Sequence, residues 1–226
     1  MTQQLDSTDP RQDPLRVVIV DDHDLFRTGL RNLLEEQGIQ VVGEAAAGGD
    51  AVRSVRELAP DVVVMDLNMP GMTGVEATRQ ITGIAPLTRV LVLTISDQDS
   101  DVLDAILAGA CGYLLKDSSI QQLMAGIRAA SIGESLISPN IASKVLQRVR
   151  STSSIPAIAE TIRAELSDRE IEVLKLIANG KDNAMIAGEL HISPKTVKNH
   201  ISNILMKLQI DNRIQAAVYA VKSGIV

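Results

Sequence analysis

Five residues of this 226-residue chain are of a type and at a spacing that can do chemistry: Asp21, Asp22, Asp66, Thr94 and Lys116. Each stands at the end of a short apolar run. Asp21 and Asp22 follow Val17–Val20, Asp66 follows Val62–Met65, Thr94 follows Val90–Leu93, and Lys116 follows Tyr113–Leu115. Three carboxylates converging on one crevice repel each other unless a cation sits among them. Oxygen ligands with a need for open positions suit Mg2+. That ion accepts one or two carboxylates, a carbonyl and several waters, and it neutralises phosphate oxygens during transfer to an aspartate nucleophile. Lys116 and Thr94 would bind the phosphoryl oxygens. Any one of the five could merely solvate a strand end, but together they fit a phosphoryl-accepting site centred on Asp66.

Something must bring these positions together. The apolar runs, with a weaker one at Val41–Val42, alternate with longer segments at helical spacing, strand then helix, five times. Runs that are apolar on both faces suit parallel strands covered by helices on each side, and right-handed crossovers give a doubly wound α/β sheet. Such sheets present ligands at the C-terminal ends of their strands, which is where all five residues fall. In the first helix, Leu25, Phe26, Leu30, Leu33 and Leu34 are expected to form the stripe that packs into the core. The single cysteine, Cys111, excludes an internal disulfide and a multi-cysteine metal site and reads as a small buried hydrophobe.

The segments Val20-Asp21-Asp22-His23, Met65-Asp66-Leu67-Asn68-Met69-Pro70-Gly71, Leu93-Thr94 and Gly112-Tyr113-Leu114-Leu115-Lys116-Asp117 resemble the signature of two-component receiver domains, over residues 16–131. The spacings, 44 from Asp22 to Asp66 and 22 from Thr94 to Lys116, are those the receiver fold requires. The resemblance implies a five-stranded parallel sheet in the flavodoxin-like order 2-1-3-4-5. It also implies phosphorylation of Asp66 by a cognate sensor histidine kinase, with Mg2+ held by Asp21, Asp22, Asp66 and the backbone carbonyl of Asn68. Thr94 and Lys116 would sense the charge, and Tyr113 would turn inward as the threonine hydroxyl moves. His23 becomes an orienting or surface residue at the start of the first helix. Ile95 departs from the small residue common after that threonine.

Beyond residue 131 the pattern loosens. We divide the chain into a disordered tail at 1–14, an α/β domain at 15–133, a linker with a short helix around Ile141–Val149 at 134–161, and a small all-α four-helix domain at 162–226. Net charge is −6 overall, but it is uneven: residues 1–159 carry 13 basic and 20 acidic side chains, and residues 160–226 carry 9 and 8. In the second domain Ser167 and Glu170 form a capping box ahead of an apolar helix, and Asn179-Gly180 ends it. A short helix over Asp182–Leu190 and a second opening at Ser193-Pro194 meet across a tight turn. In the second, Val197, Ile201, Ile204, Leu205 and Leu208 share one face, while Lys195, Lys198, Asn199, Ser202 and Asn203 fall on the other. No acidic residue occurs between Glu189 and Asp211. Such a face suits a DNA major groove, with lysines meeting phosphates and amides reading base edges.

The segments Leu166–Leu174, Ala187–Ser193 and Lys195–Ile201 resemble the LuxR-type helix-turn-helix, from residue 163 to 226. Joined to a receiver, the chain resembles a response regulator of the NarL/FixJ type that binds double-stranded promoter DNA. The resemblance implies that Lys198, Asn199 and Ser202 face bases, and that Lys195, Thr196 and Lys207 lie near backbone phosphates. On the final helix, Ile214, Ala217, Val218 and Val221 would pair two copies into a homodimer on a two-fold operator once phosphorylated. The unphosphorylated receiver is expected to pack over the reading helix, and charge on Asp66 to favour a separated form. A competing enzymatic reading, an aspartate-nucleophile phosphohydrolase, needs an acid two residues after the nucleophile, where this chain has Asn68. A third reading makes the receiver a phosphorylation-independent dimerisation module, which the intact acidic set argues against. With no signal segment and no apolar run long enough to span a bilayer, the protein is expected in the cytoplasm, off the membrane.

Overall fold

The computed structural model describes residues 14–96, 98–134, 166–210 and 212–226. The expected linker helix and nearly all of the N-terminal tail lie outside these. Five strands alternate with five helices: β1 Arg16–Val20, α1 Asp24–Glu36, β2 Gln40–Ala45, α2 Gly48–Leu58, β3 Val62–Met65, α3 Gly74–Ile84, β4 Arg89–Thr94, α4 Asp99–Leu107, β5 Gly112–Leu115 and α5 Ile120–Ser131. All strand pairings are parallel, in the order β2-β1-β3-β4-β5, as the resemblance implied.

The central strands are valine-rich because they are covered on both faces. Val17, Ile19, Val62, Val64 and Leu91 pack with Leu30, Leu34, Leu123 and Ile127 on the α1/α5 side. The alternate residues Val18, Val20, Val63, Met65 and Val90 pack with Val52, Val55, Ala77 and Ile81 on the α2/α3 side. In α1 only part of the expected stripe turns inward. Leu30 and Leu34 are buried and Phe26 partly so, but Leu25 is 88% exposed and Leu33 46% exposed. Residues 26, 30 and 34 repeat every four positions along one line of the helix, and Leu25 and Leu33 sit one residue, about 100°, to its side.

The second unit comprises α6 Asp168–Ala178, α7 Asn183–Leu190, α8 Pro194–Leu208 and α9 Arg213–Lys222. The capping box forms as read: Ser167 accepts from the Glu170 amide while the Glu170 carboxylate accepts from the Ser167 amide at 2.8 Å. His191, left-handed at φ 53°, closes α7, and Ser193 with Pro194 opens α8. Arg169 ties the turn to α6 by donating to the Leu190 carbonyl at 2.6 Å. The two units share apolar packing, for Val102, Ala105 and Ile106 of α4 lie in one continuous buried cluster with Val218 and Ala220 of α9. No described helix is long and apolar enough to cross a membrane.

Candidate functional site

Strand register brings the acidic residues together. Val20 pairs with Met65 across β1 and β3, so the residues that follow, Asp21 and Asp66, are neighbours. Thr94 pairs with Leu115, which sets Lys116 beside them. The sheet order reverses between β1 and β3, and the crevice opens at that switch point. Asp21 and Asp66 are each 2% exposed and Thr94 is fully buried, whereas Asn68 is exposed on the loop after β3.

Lys116 organises the crevice. Its Nζ lies 2.6 Å from Asp21 Oδ2 and 2.8 Å from Asp66 Oδ2. Burial opposes the ammonium charge, but hydrogen bonds and the charges of Asp21 and Asp66 more than offset this, so the Lys116 pKa stands above the ordinary lysine value. The other Asp66 oxygen, Oδ1, accepts from the Leu67 amide at 2.7 Å and, at 3.4 Å, from the Asn68 amide. Asp21 Oδ1 accepts from the His23 amide at 2.9 Å. Asp22 Oδ1 is buried and, among the described residues, has no hydrogen-bond partner. His23 Nδ1 stands 2.8 Å away without the alignment a hydrogen bond needs, and its side chain is 67% exposed, so distance alone does not satisfy that oxygen. Ligand atoms of Asp21, Asp22, His23 and Asp66 lie within 4.8 Å of one another. An orphaned carboxylate oxygen beside two further carboxylates fits a hard divalent cation such as Mg2+.

Tyr113 is fully buried and donates its hydroxyl hydrogen to the Ser96 carbonyl at 2.8 Å. Ile95, by contrast, is 73% exposed in the loop after Thr94.

Three more residues hold the crevice; the sequence singles out neither Arg27 nor Gly74, and marks Phe26 only as part of the α1 apolar stripe. Arg27 donates to the Asp21 carbonyl at 2.6 Å and to Glu44 at 3.0 Å, clamping the Asp21–Asp22 loop between α1 and β2. The Phe26 ring lies under Lys116, with Nζ 4.6 Å from its centroid. Gly74, the first residue of α3, passes so close to Asp66 that a Cβ there would lie 2.0 Å from the Asp66 carbonyl oxygen. Helical spacing places Phe26 on the core line of α1 without marking its contact with Lys116, and flags neither Arg27 nor Gly74. Only the glycine at a helix start, after the Thr73 cap, carries a signal of close approach.

On the face of α8 expected to meet nucleic acid, Lys195, Lys198, Asn199 and Ser202 are exposed, and Val197 and Ile204 are buried on its opposite side. The Thr196 hydroxyl lies 2.8 Å from Ser193 Oγ at the helix cap. Lys207 is partly drawn inward, 2.8 Å from Glu170, whose side chain is 5% exposed. Lys198 pairs with Glu134, just after α5, at 2.8 Å. Of the expected pairing residues on α9, Val218 and Val221 are buried within this chain, and Ile214 and Ala217 are half-buried.

Known proteins share this arrangement. Residues 17–128 match the response regulator receiver domain, and residues 164–220 match the luxR family of bacterial regulatory proteins. The chain is 46% identical over 213 residues to the transcriptional regulatory protein LiaR of Bacillus subtilis (strain 168), covering 94% of this chain and 99% of LiaR. It resembles the crystal structure of the response regulator ChrA of a heme-sensing two-component system, with 36% identity, 95% of this chain and 100% of ChrA covered, and a TM-score of 0.52. A structure of two RcsB dimers bound to two parallel DNAs is 25% identical, with coverage of 93% and 99% and a TM-score of 0.54. These relatives are regulators rather than enzymes, and this chain belongs with them to the two-component response regulators that join a receiver domain to a LuxR-type helix-turn-helix.

Proposed function

We propose that Asp66 is the phosphoryl acceptor, and that its modification by a histidine kinase frees α8 for promoter DNA and α9 for pairing with a second copy. The observation that carries this reading is the buried Asp66 carboxylate fixed by Lys116 beside Asp21, with Asp22 Oδ1 left unpartnered. In the transfer, an Asp66 oxygen bonds to phosphorus as the bond from phosphorus to the kinase imidazole breaks, and the departing nitrogen keeps the electron pair. Asp21, Asp22, Asp66 and the Asn68 carbonyl would hold Mg2+, which supplies charge neutralisation to the phosphoryl oxygens. Lys116 and the Thr94 hydroxyl would hold those oxygens afterwards. Residues 15–133 act as the receiver and 162–226 as the DNA-binding unit, with the protein working in the cytoplasm.

Contacts between the two units support a restrained resting form. Asn212 Nδ2 donates to the Ala110 carbonyl at 3.0 Å, Gln215 Nε2 donates to the Ile106 carbonyl at 3.1 Å, and Glu134 holds Lys198. The sequence predicts a receiver packed over the reading helix. The packed face here is α4 against α9, and α8 is engaged through Lys198. Tyr113 lies in the same buried cluster as α4 and α9, which gives charge at Asp66 a route through Thr94 and Tyr113 to that interface. The RcsB dimers on DNA support a dimeric DNA-bound form for this chain too.

Asp66→Asn tests the proposal. It should abolish Mg2+-dependent labelling by a phosphodonor and remove the donor-dependent gain in promoter binding. Binding that still strengthens normally in the variant would sink it.

A further inference from the structure

The chain contains a single phenylalanine, Phe26, and that ring faces the most important cation of the receiver. Lys116 Nζ lies 4.6 Å from the ring centroid while contacting Asp21 Oδ2 at 2.6 Å and Asp66 Oδ2 at 2.8 Å. Two carboxylates and one aromatic face therefore surround an ammonium whose side chain is 12% exposed. Phe26 itself belongs to the first turn of α1 and packs against the buried cluster of Leu30, Leu34 and Leu114, so the ring is anchored from behind.

We propose that Phe26 is a positioning residue for phosphoryl transfer: its ring holds the Lys116 ammonium in place while the two carboxylates exchange partners. This rests on the phosphoacceptor reading of Asp66. When an Asp66 oxygen bonds to phosphorus, the donor phosphorus–nitrogen bond breaks, the electron pair stays on nitrogen, and that nitrogen takes a proton from water. Asp66 loses its full negative charge at that moment and becomes a weaker partner for Lys116. Asp21, in the same reading, is claimed as a cation ligand. Both anionic restraints on Nζ thus weaken in the step in which Lys116 must reach a phosphoryl oxygen. The ring attracts the ammonium through its quadrupole, presents no lone pair to a metal and no negative charge to a phosphoryl group, and is unchanged by the reaction. A long flexible lysine stem gains most from a partner that stays put.

Because no other phenylalanine exists in the chain, biosynthetic replacement with mono-, di- and trifluorinated phenylalanine alters this ring alone. Fluorination weakens the quadrupole while keeping ring shape, so a purely structural role would not follow the series. With phosphoramidate as donor and the full chain with Mg2+, the phosphorylation rate constant should fall stepwise, by about fivefold from unsubstituted to trifluorinated ring. Phe26→Leu should match the trifluorinated protein in rate. In the Mg2+-free protein, the Lys116 ε-methylene protons should be shifted upfield by the ring current and lose that shift in Phe26→Leu. A rate independent of fluorine number, or Lys116 protons with no upfield shift in the wild type, overturns the proposal. A wild-type chain that takes no phosphoryl group sinks the Asp66 reading and the proposal together, whereas a flat fluorine series in a chain that does label sinks the proposal alone.

Discussion

Backbone closeness at Gly74 sets how accurately Asp66 is held. Its amide donates to the Leu67 carbonyl at 3.0 Å, and a Cβ would meet the Asp66 carbonyl oxygen at 2.0 Å and Leu67 Cα at 2.7 Å. These obstacles are backbone atoms, so no side-chain rotation relieves the clash. Gly74→Ala should therefore push the start of α3 away from the loop after β3, at a cost of about 1–3 kcal/mol, towards the upper end of the range for overpacking. Urea midpoints of the two proteins measure this, and an alanine variant as stable as wild type would show that the loop yields freely. Displacement of the Leu67 amide, which supports Asp66 Oδ1, should also slow phosphorylation by a small donor. Asp21, Asp66, Thr94 and Lys116 were legible in the sequence because each ends an apolar run. Gly74 and Arg27 act through proximity alone, to Asp66 and to the Asp21 carbonyl, and Phe26, legible as a core residue from the 26, 30, 34 repeat, meets Lys116 through a closeness across the fold that leaves no periodic trace.

At the scale of elements, the strands were readable because residues buried on both faces must be apolar at every position, as Val62–Met65 are. Helix faces were less so. Leu25 and Leu33 look like core residues, yet both are exposed because Leu30 and Leu34 already fill the line of α1 that meets the sheet. In the second unit, the capping box at α6 was legible from Ser167 and Glu170, but its third partner was not. Lys207, 37 residues along the chain from Glu170, completes a partly buried ion pair with it. Burial raises the Glu170 pKa, and hydrogen bonds from Lys207 and Ser167 with the Lys207 charge reverse this, leaving the pKa below the ordinary 4.5. A depressed carboxylate contributes stability that is present above its unfolded pKa and lost as pH falls through the folded one. Lys207→Ala should then destabilise α6 by about 1–2 kcal/mol at neutral pH, discounted for a lysine that is 35% exposed, and by much less once pH has fallen through the depressed Glu170 pKa. Hydrogen exchange of α6 amides at the two pH values reads this directly. Equal loss at both would mean that Lys207 stabilises α6 by packing rather than by charge.

For the molecule as a whole, the two units pack together through α4 and α9, and no local pattern announces that interface. Its hydrogen bonds join residues 102 and 109 positions apart, Asn212 to Ala110 and Gln215 to Ile106. Asn212 also caps α9, its Oδ1 accepting from the Ile214 and Gln215 amides, so removing it would weaken the helix as well as the interface. Gln215 is the cleaner probe. Gln215→Ala takes away a bond to the last turn of α4 and changes no charge. Glu134→Gln frees Lys198 but also removes a negative charge near the DNA face, which strengthens attraction to any phosphate backbone. Both belong in an Asp66→Asn background, where phosphorylation cannot contribute. If docking of α9 on α4 restrains DNA binding, Gln215→Ala should tighten binding to a fragment selected by the phosphorylated wild type by about three- to tenfold, the worth of one interfacial hydrogen bond. Glu134→Gln should add to it, with affinity rising on non-specific DNA too. Fluorescence anisotropy at fixed salt gives both numbers. An unchanged Kd in Gln215→Ala, with α9 still folded by circular dichroism, would leave the Lys198–Glu134 pair as the restraint and move the switch from the pairing helix to the reading helix.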